Sequence, residues 1–317
     1  MMRKMLPLII ILLLVLPAGA KAASEWNQAV TIYGAGLEEN RELLDATSRI
    51  LGTTEDDKVG YVRSEDVEKY LGVTYDDSVL KSSIRILQKD AGAGLDVTVD
   101  KNMGQITEIT EETYKNALLT SGITDAEVTI GAAEDVTGES ALAGIYKAYE
   151  AQDEEIDPER AQNAQDELET ISSITAENSG TEGFSQEQLN KMITEIKIQV
   201  IEAGGDLSEG EIRNIVGEEL EANGLNGILS QEQIERIVVI IMNIQDSGLF
   251  QSEEAQRLLD SSRNLIDEIT SSEGFQDAKD TAQELGRDIQ ESGAWESFKD
   301  AVSDFFGKVA DFFRSLF

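Results

Sequence analysis

The chain has 317 residues, 40% of them hydrophobic, with 26 Lys and Arg against 62 Asp and Glu for a formal net charge of −36. This is a globular composition, long enough for two ordinary domains, and a surface so acidic repels nucleic acid, which excludes DNA or RNA as partner. Without histidine or cysteine, Ser-His-Asp and Cys-His catalysis, disulfides and the usual zinc sites are excluded, leaving carboxylate chemistry, a Ser-Lys pair or oxygen-ligand metals.

Residues 1–22 read as a signal peptide. Arg3 and Lys4 form its basic region, Met5 to Pro17 its apolar region, and Ala18-Gly19-Ala20 a small-residue cleavage site. The apolar run falls short of the ~20 residues of a spanning helix. The expected location is extracytoplasmic, secreted or associated with the cell envelope, with cleavage near Ala20 to Ala22. The alternative is that the segment stays as an N-terminal anchor.

From residue 26 to 152 strand and helix patterns alternate. Ala29–Tyr33 is a strand that turns through Gly34-Ala35-Gly36 into a helix over Leu37–Leu51. Lys58–Val62 is a second strand, and Ser64–Leu71 a helix. Ser83–Leu87 and Leu95–Asp100 read as a hairpin joined through Asp90–Gly94. A helix runs from Thr110 as N-cap to Gly122. A strand carrying Val128 and Ile130 follows, then a helix from about Thr137 to Gln152. The strict apolar–polar alternation, clearest in Leu95, Val97 and Val99, predicts a mixed or antiparallel sheet with helices mainly on one face.

Residues 153–183 form an acidic linker and a connecting helix. Asp157 as N-cap and Pro158 at the first helical position start that helix, which reads through about Ser173. Residues 184–292 read as an all-α domain with a repeat of about 22 residues, marked by Gly183, Gly205, Gly227 and Gly248. Ser185 with Gln188, Ser208 with Glu211 and Ser230 with Gln233 fit the capping box. Each unit is thus a helix and short loop stacked on the next. The run Ile237–Met242 is apolar all round and predicts a central helix.

The fold class is therefore α+β: a sheet domain, then a helical domain, then an amphipathic aromatic helix over 293–317. Six of the nine phenylalanines fall between Phe298 and Phe317. On a helix, Trp295, Phe298, Val302, Phe305, Phe306, Val309, Phe312, Phe313, Leu316 and Phe317 share an arc of about 140°. Most of them step by three and four, as in a helix packed on helices. The opposite face carries Glu296, Asp300, Asp304 and Asp311 against Lys299, Lys308 and Arg314, without the basic excess of an interfacial helix. These ten apolar residues are the candidate docking surface for a protein partner or a membrane, or for the chain's own bundle.

Other motifs favour structure over chemistry. Gly34-Ala35-Gly36 hints at a phosphate loop, but Glu38 and Glu39 stand where the anion would dock, so turn glycines explain it. Gly138-Glu139-Ser140-Ala141 resembles a nucleophile elbow, yet no histidine exists to serve as base. A cap at Thr137 with Ser140 in the first turn explains the same residues. Residues 222–233 lack the carboxylates of a calcium loop. Asp76-Asp77 and Asp153-Glu154-Glu155 could hold a divalent cation weakly, though solvated acidic loops account for them as well. No cofactor, metal site or catalytic residue is assigned.

The stretch from Gly92 to Glu150 resembles a known family, the YpuA-like secreted bacterial proteins classed as domain of unknown function 1002. The resemblance rests on Gly92-Ala93-Gly94, Ile106-Thr107, Tyr114–Leu118, Thr120-Ser121-Gly122-Ile123, Val136-Thr137-Gly138, Ala141–Gly144 and Lys147-Ala148-Tyr149-Glu150. It implies an extracytoplasmic protein of Gram-positive type and supplies no activity. The reading is a non-catalytic envelope protein that docks through its C-terminal helix. The alternative is a carboxylate-dependent extracytoplasmic hydrolase with its site in the sheet domain, which a convergent acidic pair, for example Asp96 and Glu112, would support.

Overall fold

The computed structural model describes residue 26, residues 28–101, 103–107 and 109–272, and Phe275 with Gln276. The leader reading over 1–22 and the aromatic seam from Trp295 to Phe317 lie outside the described residues. No helix among the described residues is long and apolar enough to cross a membrane.

Five strands form one mixed sheet: β1 (Val30–Gly34), β2 (Lys58–Val62), β3 (Ser83–Gln88), β4 (Leu95–Val99) and β5 (Ala126–Gly131), in the order β2-β1-β3-β5-β4. β1 runs parallel to β2 and antiparallel to β3; β5 runs antiparallel to β3 and parallel to β4. The expected hairpin of β3 with β4 is therefore corrected, because β5 lies between them. Alternation reports which face a side chain takes, not which strand is its neighbour. Burial explains the placement. Val128 and Ile130 are fully buried in β5, whereas Asp96 of β4 is exposed, as suits an edge.

Val30, Ile32, Ile84, Ile86, Val97, Val99, Val128 and Ile130 make one continuous core with the helices α3 (Glu111–Thr120) and α4 (Glu139–Glu150). The helix α2 (Ser64–Leu71) adds Val67 and Leu71 to it. On the other face α1 (Arg41–Leu51) brings Leu51 against Tyr33 and Leu37. Helices mainly on one face is thus the observed arrangement, with α1 as the exception.

Gly34 shows why that corner needs glycine. A Cβ there would meet the Leu80 carbonyl oxygen at 2.1 Å. The Gly34 N–H donates to Ser83 Oγ at 3.1 Å and the Gly36 N–H to Leu80 O at 2.9 Å. These donors close a turn and are not free for a phosphate. Gly34→Ala is expected to destabilise the protein by about 2 kcal/mol, read as a lower denaturant midpoint at unchanged slope. Similarly, Ser140 is buried and bonded to Ser82, so it is no exposed nucleophile. Helix α4 is capped at Gly138 (φ 115°), one residue after the expected Thr137, because Tyr114 donates to the Gly138 carbonyl at 2.7 Å and fixes the turn.

The second half is helical: α5 (Pro158–Glu177), α6 (Gln186–Glu202), α7 (Glu209–Ala222), α8 (Gln231–Asp246) and α9 (Ala255–Ser271). Asp157 caps α5, and Ser185, Ser208 and Ser230 cap the next three helices, the last two with full reciprocal capping boxes. The fourth unit departs, since Gly248 leads into a single 3-10 turn over Leu249–Gln251 before α9. Helix α5 runs past the expected end near Ser173 to Glu177, where Asn178 stops it by bonding back to the Ile174 carbonyl. Val239 on α8 is 46% exposed, so α8 has one wet side and is not apolar all round. Helix α5 joins the two halves. Ala161, Ala164 and Leu168 belong to the sheet core, while Ile171 and Ile174 belong to the bundle core.

Candidate functional site

The ten residues read as a docking surface, Trp295 to Phe317, lie outside the described residues. Within them, three polar arrangements stand out.

The first is a cleft of about 340 Å³ at the junction of the two cores. Its walls are the end of β3, the turn after α3, the end of α4, the approach to α5 and the start of α9. Three of the segments that carry the family resemblance meet here: Ala91 precedes Gly92-Ala93-Gly94, Ser121-Gly122-Ile123 forms the turn after α3, and Tyr149 closes α4. Gly122 takes φ +85°, which ends α3 sharply and lets Arg160 approach.

Three carboxylates of the cleft, Asp125, Glu154 and Asp157, accept hydrogen bonds from neighbouring donors. Asp125 Oδ1 accepts from the N–H groups of Gly92 and Gly94 at 2.8 and 2.9 Å, and its other oxygen accepts from Thr124 Oγ1 at 2.8 Å. Asp157 accepts from Glu159 N and Arg160 N as N-cap of α5. Glu154 accepts from Trp26 Nε1 at 2.9 Å, and Trp26 packs edge-on against Tyr149 with centroids 4.8 Å apart. Burial pushes the Tyr149 hydroxyl above the usual phenol range, and the charges of Glu154 and Asp125 add to this. The cations of the cleft are held more loosely: Lys89 is 3.9 Å from Asp96, Arg160 3.9 Å from Glu254 and Arg257 4.0 Å from Asp125.

The second arrangement is a polar ladder between α3, α5 and α6. Gln186 and Asn190 donate to Thr113 Oγ1, both at 3.1 Å. Asn116 Nδ2 donates to Asn190 Oδ1 at 3.1 Å, and Thr194 Oγ1 donates to Asn116 Oδ1 at 2.9 Å. The ladder ends in Lys197 and Glu167, 2.8 Å apart and both 0% exposed. Access is closed there, so the Lys197–Thr120 contact cannot serve as a hydroxyl–lysine catalytic pair.

The third is a carboxyl pair on adjacent helices, Glu195 of α6 and Glu219 of α7, beside a cavity of about 450 Å³ that Arg263 and Asp267 of α9 also line. Asn223 Nδ2 donates to Glu195 Oε2 at 2.8 Å and to Glu219 Oε2 at 3.0 Å. Burial, a hydrogen bond with Glu195 and the Glu195 charge push Glu219 up to about 7, against the opposing pull of Lys191 and Gln199.

Of the other sequence candidates, Glu154 and Glu155 line the first cleft, whereas Asp96, Glu112, Asp76 and Asp77 stand apart from all three arrangements. Asp96 is exposed beside Lys89, and neither it nor Glu112 lines either of the two cavities described. Asp77 accepts from the Ser64 N–H and pairs with Arg63, while Asp76 caps the turn that follows it. No group of three or more carboxylates among the described residues is arranged to hold a metal ion. Sequence reasoning missed Arg160, Arg257 and the Glu195–Glu219 pair. The only available signal was the clustering of motif segments around Gly92 and Gly122.

A five-stranded mixed sheet, a helix shared by two cores and a cleft where those cores meet define an α+β protein with a helical second half. The model of a family described as protein of unknown function (DUF1002) matches residues 33–261, and the chain belongs to that family. It is similar to the uncharacterized protein YpuA of Bacillus subtilis (strain 168), with 27% identity over 273 residues, 83% of this chain and 88% of the relative. No solved structure matches the chain.

Proposed function

We propose that this is a non-catalytic extracytoplasmic protein, secreted or held at the cell envelope, that docks on a protein partner through the aromatic seam from Trp295 to Phe317. The observation that carries the reading is the seam itself, apolar residues stepping by three and four over residues 295–316. Its polar face lacks the Lys and Arg excess that would favour a membrane surface. The leader-like residues 1–22 support the location.

The test places a photo-crosslinking residue at Ser315, beside the seam, in producing cells and compares Phe305→Asp with Phe312→Asp. A discrete protein adduct that either substitution removes, at unchanged melting temperature, is expected. A fall of several degrees in melting temperature would show that the seam packs on the chain's own bundle and would end the docking reading. Flotation with lipid vesicles that is lost on truncation before Trp295 would move it to a membrane surface.

A second reading, the carboxylate-dependent hydrolase, is favoured by one specific observation, the Glu195–Glu219 pair beside a cavity. That pair sits in the helical half, not in the sheet domain where such a site was expected. Hydrolysis of cell-wall material by the protein, abolished in Glu219→Gln, would establish it.

A further inference from the structure

We infer that the cleft between the two cores binds a small zwitterion, an amino acid or short peptide, with its carboxylate on Arg160 and Arg257 and its ammonium beside Glu154 and Glu155. The inference stands apart from the C-terminal seam and rests on how the cations of the cleft are paired.

Every other ion-paired Lys or Arg among the described residues has a carboxylate oxygen at 3.2 Å or closer. Arg213, for example, holds Glu209 and Glu235 at 2.6 Å, and Arg85 holds Asp57 at 2.8 Å. The three exceptions are Lys89, Arg160 and Arg257, whose carboxylates stand at 3.9–4.0 Å, and all three line this one cleft. At that separation no charge-assisted hydrogen bond forms. Arg160 is the extreme case: its side chain is only 19% exposed, yet its guanidinium donates no hydrogen bond to any described residue. A guanidinium with five donors, largely withdrawn from water, is costly unless an acceptor arrives.

Two of the nearby acids are held by other groups. Asp125 is fastened by Gly92, Gly94 and Thr124, and Glu154 by Trp26 and Gln88. The cleft therefore holds cations and acids side by side that do not close on one another. A multiply charged anion would suit the cations but meet Asp125, Glu154, Glu155, Asp157 and Glu254 around them. A molecule with one charge of each sign suits both sets of groups, and a carboxylate matches the fork of an arginine bidentately. The volume of about 340 Å³ lies in the range of sites for small organic ligands.

The test is calorimetric titration of the purified protein with trialanine and with N-acetyl-trialanine, which keeps the carboxylate and loses the ammonium. Trialanine is expected to bind saturably at one site, and Arg160→Gln to weaken it by roughly tenfold or more. Arg41→Gln, at an exposed pair on α1, is expected to leave binding unchanged. N-acetyl-trialanine is expected to bind several-fold more weakly than the free peptide. If Arg160→Gln does not fold, Arg257→Gln carries the test, since that side chain is 45% exposed. Absence of saturable trialanine binding, or equal binding in the folded arginine variants, would overturn the site. Equal binding of the acetylated peptide would overturn the zwitterion assignment.

Discussion

Lys197→Met is expected to cost about 3–5 kcal/mol and to lower the melting temperature by roughly 10 °C, the largest loss from any single substitution considered. The Lys197 ammonium has three donors, and all three are used: Glu167 Oε1 at 2.8 Å, and Asn116 O and Thr120 Oγ1 at 3.2 Å each. Thr120 in turn donates its hydroxyl to the second Glu167 oxygen. Burial pushes the ammonium down towards its neutral form, while the Glu167 charge and its hydrogen bond hold it up. Methionine would fill the volume of the stem but leave the carboxylate of a fully buried Glu167 with a single hydroxyl partner. The penalty is then the desolvated charge rather than lost packing. The double variant Lys197→Met with Glu167→Leu is expected to recover most of the loss, because it removes both charges together. Chemical denaturation of the single and double variants checks this. A single variant losing less than about 1 kcal/mol, or a double variant worse than the single, would show that the pair is not acting as a coupled unit.

The ladder above this pair also shows where the sequence becomes silent. Strand and helix positions were readable from period, and caps such as Asp157, Ser208 and Ser230 from residue type, because both are local properties. Thr113, Asn116 and Thr120 on α3, with Gln186, Asn190, Thr194 and Lys197 on α6, are polar residues at helical spacing. On sequence they are indistinguishable from solvated helix faces. Only the packing of α3 on α6 across the two halves turns them inward, where each donor finds an acceptor. The strand order was hidden for a related reason: Val97 and Val128 alternate in the same way, and nothing local states that β5 inserts between β3 and β4. The cleft shows both limits. Gly92, Gly122 and Tyr149 were legible as motif residues, but Arg160 and Arg257 come from distant segments of the chain with no spacing that joins them.

The Glu195–Glu219 pair makes a pH prediction of the opposite sign to that of carboxylates paired with Arg or Lys. Asp57, Glu150 and Glu235 are held below their usual values by Arg85, Lys69 and Arg213, so each stabilises the fold at neutral pH and loses that contribution in acid. Glu219 is instead raised to about 7, first by burial and then by its hydrogen bond with Glu195 and that residue's charge. Its native form binds a proton more tightly than the unfolded chain does. Its contribution is therefore complete below the unfolded value of about 4.5 and is lost as pH climbs from there to about 7. The groups facing it set this balance: Lys191 and Gln199 on α6 favour ionisation, as does the bond from Asn223 to its Oε2, while Asp267 on α9 adds negative charge at the cavity and Arg263 offsets it. Integrated over that window the effect is on the order of 3 kcal/mol. Glu219→Gln keeps a neutral donor beside Glu195 at every pH, so its stability relative to the native protein should rise between pH 4.5 and 7 and then level off. Paired denaturant titrations across that range measure the difference directly, with the remaining carboxylates cancelling. A stability difference independent of pH would mean that the two carboxyls share no proton, and would remove the physical basis for assigning the pair either a titrating or a catalytic role.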